Sequence, residues 1–236
     1  MNANSAERVG PGERTYRFLG LITVLYVTFQ LISDVTAGKL IDVFGVPVSV
    51  TVLYFPVTYI ISDVLTEVYG YARARQVLWM VLGASITAML IYQVVAAIPG
   101  SAVFPHSEAY RVVFTQVPRT LAGGWIAVFA GDIANNYVMA RLKVITKGRY
   151  LWVRTIGSTI VGQGLNTALF YLIALSGIIP FGALLIAILA GWVFKTLVEV
   201  IMTPATYWVC GLLKRVESED YYDRDTNFNP LKFKVD

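Results

Sequence analysis

The chain has 236 residues and a formal net charge of +4, with 56% hydrophobic and only 14% charged residues. Soluble domains carry about 25% charge, and a mean hydropathy of +0.63 excludes a soluble enzyme in favour of an integral membrane protein. In such a chain a pI of 9.1 marks basic cytoplasmic loops rather than nucleic-acid binding.

Residues 1–15 are polar, without a signal-peptide pattern, and are expected to form a cytoplasmic tail. Phe18–Ser33 is the first charge-free stretch, short of the roughly 20 residues a span needs. It is expected to continue through Asp34 to Ala37, with Lys39 snorkelling to the interface. Val43–Ser62 is the second expected span, kinked at Pro56. Gln76 to about Ala97 is the third, ending at Ile98-Pro99-Gly100. Ser101–Arg119 reads as a loop with a short amphipathic helix. Thr120–Met139 is the fourth span, interrupted by Asp132, Asn135 and Asn136. The 40 residues between Arg154 and Lys195 carry no charge, too many for one span. The turn signature at 176–182 divides them into spans five and six. The sixth runs from Phe181 to about Leu213 and contains Lys195 and Glu199, and residues 216–236 read as a solvated cytoplasmic tail.

The expected architecture is an all-α integral membrane protein, six transmembrane helices in one bundle over residues 16–215. With the N-terminus inside, the inner segments hold fifteen Lys and Arg residues and the outer loops three. Positive residues favour the cytoplasm, so both termini are placed there.

A charge at the bilayer centre costs about 2.5–3.5 kcal/mol and therefore faces a bundle interior or a cavity. Asp63 and Glu67, four residues apart, share one face of a helix. With Asp132, Asn135, Asn136, Gln163, Asn166, Lys195 and Glu199 they form the candidate polar lining of a solute site. These have plainer readings: Lys195 and Glu199 as a self-neutralising pair, Asn135 and Asn136 as glue between helices, and Asp63 and Glu67 as interfacial partners of Arg73 or Arg75. Gly157, Ser158, Gly162 and Gly164 read as close helix packing.

Several functions lack their motifs. There is no GxxxxGK[ST] phosphate loop, so the chain is not expected to hydrolyse ATP. There is no HExxH, and a single cysteine, Cys210, with a single histidine, His106, supplies neither a metal cluster nor a disulfide. No cofactor and no catalytic residue is expected.

The segment Ile61-Ser62-Asp63-Val64-Leu65-Thr66-Glu67-Val68-Tyr69-Gly70 resembles the signature of the queuosine precursor transporter family, also called the vitamin uptake transporter family. Residues 143–154 are similar to its basic inner loop, 157–170 to its fifth helix, and Phe194-Lys195 to the lysine of its sixth. The resemblance implies a six-helix inner-membrane transporter importing 7-deazaguanine bases, such as 7-cyano-7-deazaguanine and 7-aminomethyl-7-deazaguanine, for tRNA queuosine modification. One position departs: Asn166 stands where the family pattern has an aspartate, and an amide carries neither charge nor a titrating proton.

A deazaguanine presents a ring N–H beside an exocyclic NH₂, and one carboxylate accepts from both. Asp63, Glu67, Asp132 or Glu199 is expected to take that edge, with Glu67 and Asp132 foremost. An amide (Asn135, Asn136, Gln163 or Asn166) or Lys195 donates to the O6 oxygen, between walls formed by Tyr59, Phe170 and Trp192. The partners are then the small solute and the lipid bilayer, with no nucleic acid and with homo-oligomerisation open. The alternative is the substrate-binding membrane subunit of an ATP-driven vitamin uptake system, and a membrane enzyme or structural subunit is the third reading.

Overall fold

The computed structural model describes residues 15–37, 39–43, 46–115, 118–174, 176–177 and 180–232. Nearly all of the expected N-terminal tail, and the centre of the turn at 178–179, lie outside the described residues.

Helix α1 spans Leu19–Thr36. A two-stranded antiparallel hairpin follows, β1 (Leu40–Val43) with β2 (Val46–Ser49), Leu40 opposite Ser49 and Val43 opposite Val46. One 3₁₀ turn, Val50–Leu53, leads to α2 (Pro56–Tyr69) and α3 (Tyr71–Ala97). The short α4 (Ser107–Phe114) precedes three long helices, α5 (Pro118–Ile145), α6 (Leu151–Ala174) and α7 (Phe181–Glu217). Apart from the hairpin the described fold is helical. Helices α1, α3, α6 and α7 (from Leu184) are long and apolar enough to cross a membrane. α5 has the length, 28 residues, but carries Asp132, Arg141 and Lys143 among its apolar residues.

The expected second span, Val43–Ser62, needs correction. Its first half is hairpin and 3₁₀ turn, and only its last residues join a helix of 14 residues. At 1.5 Å per residue that helix reaches about 21 Å, less than the roughly 30 Å of a hydrocarbon core. The sequence explains the break. Valines at 43, 46, 48, 50 and 52, with Gly45 and Pro47 among them, favour extended backbone over helix. Pro56 then opens α2 at a position where its missing N–H is harmless and its φ already helical. Gly70, at φ +86°, ends α2 and starts α3 in the same step. The third helix therefore begins five residues before the expected Gln76 and includes the buried Arg73 and Arg75.

The ends of these helices meet at one pole of the bundle. Glu217, closing α7, accepts hydrogen bonds from the Arg17 and Phe18 amides entering α1 and from the Tyr69 hydroxyl of α2. The last turns of α2, α5 and α7 and the first turn of α6 also join there through Glu67, Lys143, Lys214 and Arg154.

The C-terminal segment differs from the expected solvated tail. It folds back across the α2–α3 elbow: the Tyr221 amide donates to the Val68 carbonyl, and Asp223 accepts from the Tyr71 amide. Arg75 donates to the carbonyls of Asn227 and Asn229, and Trp79 to that of Pro230. A Cβ at Gly70 would lie 2.3 Å from the Tyr221 ring, so both the left-handed φ and this approach require glycine.

Polarity is distributed as in a membrane bundle. Large apolar side chains such as Leu90 and Val94 of α3 and Ile186, Leu189 and Ile201 of α7 face outward. Among the described residues the buried set includes many polar and charged groups, which hydrocarbon would otherwise penalise. An apolar cluster of Tyr26, Leu65, Val68, Val77, Met139 and Leu213 packs around them.

Candidate functional site

Two polar layers lie in the interior, at successive turns of α2. The lower layer centres on Glu67, which is fully buried. Arg154 grips it with two bonds, Nη2 to Oε1 at 2.7 Å and Nε to Oε2 at 3.1 Å. Lys214 Nζ donates to Oε1 at 2.5 Å, and Lys143 Nζ donates to the Glu67 backbone carbonyl. Asp220 of the tail joins both lysines, 2.6 Å from Lys143 and 2.8 Å from Lys214. Burial alone would push the Asp220 carboxyl up, but the two lysine bonds outweigh it and hold the group below its ordinary 3.8. Both Glu67 oxygens are thus taken by cations. Expected to be foremost in ligand recognition, this residue is instead the hub of a buried ion-pair network.

The upper layer is built from four helices. Asp63 of α2 accepts from Asn135 Nδ2 of α5 at 2.6 Å through Oδ1, while its Oδ2 has no partner. Glu199 of α7 lies close enough for its charge to act on Asp63, and its Oε1 also lacks a partner. Asn135 Oδ1 and Gln163 Oε1 of α6 are likewise buried and unsatisfied. One turn before Asp63, the Tyr59 hydroxyl lies beside Gln163 without completing a hydrogen bond. Four acceptor oxygens, one from each of α2, α5, α6 and α7, therefore stand buried without donors. Such groups cost free energy unless something completes them.

The other expected residues surround this centre. Asp132 accepts from the Tyr26 hydroxyl of α1. Asn136 Oδ1 accepts from Ser62 and Thr66, each at 2.9 Å, and so joins α5 to α2 as helix glue. Lys195 turns to α6, donating to Asn166 Oδ1 at 3.2 Å and to Thr167 Oγ1 at 3.4 Å, and its ammonium lies 5.5 Å from the Phe55 ring centroid. Two expected aromatic walls hold different places. Trp192 donates to the Ile160 carbonyl and packs on Gly164, and Phe170 meets Tyr171 edge to face.

The upper layer depends on how closely α5 and α6 approach. A Cβ at Gly131 would lie 2.7 Å from that of Asn166, and a Cβ at Gly162 would lie 2.7 Å from that of Asn135. Each helix thus carries Gly-x-x-x-Asn, 131–135 and 162–166, and each glycine makes room for the asparagine of the other. This repeat was available in the sequence, although only the α6 glycines drew attention there. Tyr26, Lys143, Arg154 and Lys214 had no such signal, because their partners lie 76 to 147 residues away.

Comparison with known proteins agrees with this polar-centred bundle. The profile of the family described as "Putative vitamin uptake transporter" matches residues 49–209, which contain both layers except Tyr26, Lys214 and Asp220. A protein of Bacillus subtilis (strain 168) named "Probable queuosine precursor transporter" is 26% identical over 170 residues, covering 72% of this chain and 74% of that protein. No solved structure matches. With more than half of its length matched, the chain belongs to the vitamin uptake transporter family.

Proposed function

We propose that the chain imports 7-deazaguanine bases, the precursors of queuosine in tRNA, across the inner membrane. The observation that carries this reading is the set of four buried acceptors without donors: Asp63 Oδ2, Asn135 Oδ1, Gln163 Oε1 and Glu199 Oε1. A guanine-like base is rich in N–H donors, and its ring N–H and exocyclic NH₂ lie side by side, suited to a carboxylate. Asp63 takes that edge, and Asn135, Gln163 and Glu199 share the second exocyclic hydrogen and the pyrrole N–H, together with the aminomethyl group of the base that carries one. Lys195, with one hydrogen beyond its bonds to Asn166 and Thr167, donates to O6. Asn166 is thereby an acceptor that orients the lysine, a task an amide performs without a charge. Asp132 and Asn136 hold the helices in register, and the Tyr59 ring forms a wall. The printed name of the Bacillus relative supports the same substrate class.

Six crossings suit this arrangement: α1, the hairpin together with α2, α3, α5, α6 and α7, with both termini cytoplasmic. The segment 40–69 then crosses as a discontinuous unit, a device that transporters use beside a midplane site. Because the four acceptors are buried, the solute reaches them only when the bundle opens toward one side and then the other.

The test is thermal unfolding of the purified chain with 7-cyano-7-deazaguanine, 7-aminomethyl-7-deazaguanine, guanine, queuine and biotin. A ligand at about 100 times its dissociation constant adds roughly 2.7 kcal/mol of stability. A shift with deazaguanines that disappears in Asp63→Ala, together with their uptake into liposomes containing this chain alone, is the expected result. No shift with either deazaguanine overturns the substrate, and uptake that requires an added ATPase overturns the self-sufficient mechanism.

A further inference from the structure

The interface of α1, α3 and α5 holds a polar group that the two central layers do not use. Near the end of α1, Asp34 accepts from Ser85 Oγ of α3 at 2.6 Å and from Gln30 Nε2, one turn back, at 2.8 Å. Gln30 is only 4% exposed, and its carbonyl oxygen Oε1 has no partner. Gln30 and Ser85 line a cavity with Trp125 of α5 and apolar side chains that include Leu78 and Phe129, and Asp34 adjoins it through its bonds to both. The cavity measures about 10 Å³, room for one water-sized occupant and far too small for an organic solute.

The chemistry selects among occupants of that size. Among the described residues, no lysine or arginine pairs with Asp34, although it lies within a helix apolar enough to span the membrane. A carboxylate in that position calls for a counter-charge. The groups at hand are hard oxygens: the Asp34 carboxylate, the free Gln30 carbonyl and the Ser85 hydroxyl, the donor type that hard cations take. One carboxylate among neutral donors balances one positive charge, which favours a monovalent ion over calcium or magnesium. The Trp125 indole N–H, a donor beside Asp34 that completes no other hydrogen bond, faces the carboxylate and never the ion.

We propose that Asp34, Gln30 and Ser85 form a binding site for a single sodium ion, separate from the solute site. The test uses the full purified chain in detergent and reads its unfolding temperature as sodium chloride replaces choline chloride at constant ionic strength. The expected result is a rise with the logarithm of sodium concentration, absent in Asp34→Asn and displaced to higher sodium in Ser85→Ala and Gln30→Leu. Should Asp34→Asn fail to fold, the other two variants carry the test. An unfolding temperature equal in sodium and choline overturns the proposal, and so does a sodium response unchanged in every variant that folds. The measurement reads binding directly, so its outcome is independent of which solute the chain transports.

Discussion

Asp63 and Glu67 lie one turn apart on α2, and both are fully buried, yet their surroundings give them different work. Glu67 has three cations around it, of which Arg154 and Lys143 have only 1% of their side-chain surface exposed. Removing one partner of a buried pair leaves the other charged and desolvated, at a cost of about 3–5 kcal/mol. Glu67→Gln should therefore lower the unfolding temperature sharply, and Arg154→Met in the same chain should recover part of the loss. Asp63→Asn keeps the bond from Asn135 and should leave stability nearly unchanged, while the ligand-induced shift disappears. Equal destabilisation by the two single variants would show that the layers are not distinct. The spacing of the two acids was legible in the sequence because it is local. Which acid meets cations was not, because Arg154 and Lys214 come from 87 and 147 residues away.

At the scale of helices, the crossing of α5 and α6 fixes the upper layer. The reciprocal fit of Gly131 with Asn166 and Gly162 with Asn135 holds Asn135, the donor to Asp63, against α6 at the residue next to Gln163. A Cβ at Gly162 would meet the Asn135 Cβ at 2.7 Å and the Gly131 carbonyl at 2.9 Å, and neither is the far end of a flexible side chain. Gly162→Ala should thus force the helices apart, costing about 1–3 kcal/mol as overpacking does, and should weaken ligand response as Asn135 moves. Gly83→Ala is the control: its Cβ would meet nothing within 4 Å, and alanine's better helix propensity should make it neutral or slightly stabilising. The two measurements are unfolding temperatures with and without ligand, and a harmless Gly162→Ala would sink the idea. Pro56 was legible as a feature of the second span, but as a kink; it is the start of a helix. The valine-rich run before it reads as apolar on any hydropathy scale, and hydropathy does not distinguish an extended strand from a helix.

For the whole molecule, the α1 entrance and the α7 exit meet at Glu217 and so share one pole. The same pole holds Lys143, Arg154 and Lys214, the basic residues that charge counting assigns to the cytoplasm. The long apolar helices were legible because lipid imposes long apolar stretches; the docking of residues 218–232 was not, because a charged, tyrosine-rich sequence reads as solvated until its backbone partners are known. The proposed six crossings also predict where each loop is accessible. Native Cys210 is buried and should stay silent toward a membrane-impermeant maleimide, so single added cysteines report alone. Val103→Cys, at a position 90% exposed between α3 and α4, should label from outside intact cells. Arg149→Cys, exposed between α5 and α6, should label only after permeabilisation. Labelling of both positions from the same side would break the six-crossing path. It would leave the pole assembled but require α5, the one long helix interrupted by acid, amide and basic residues, to remain on one side of the bilayer.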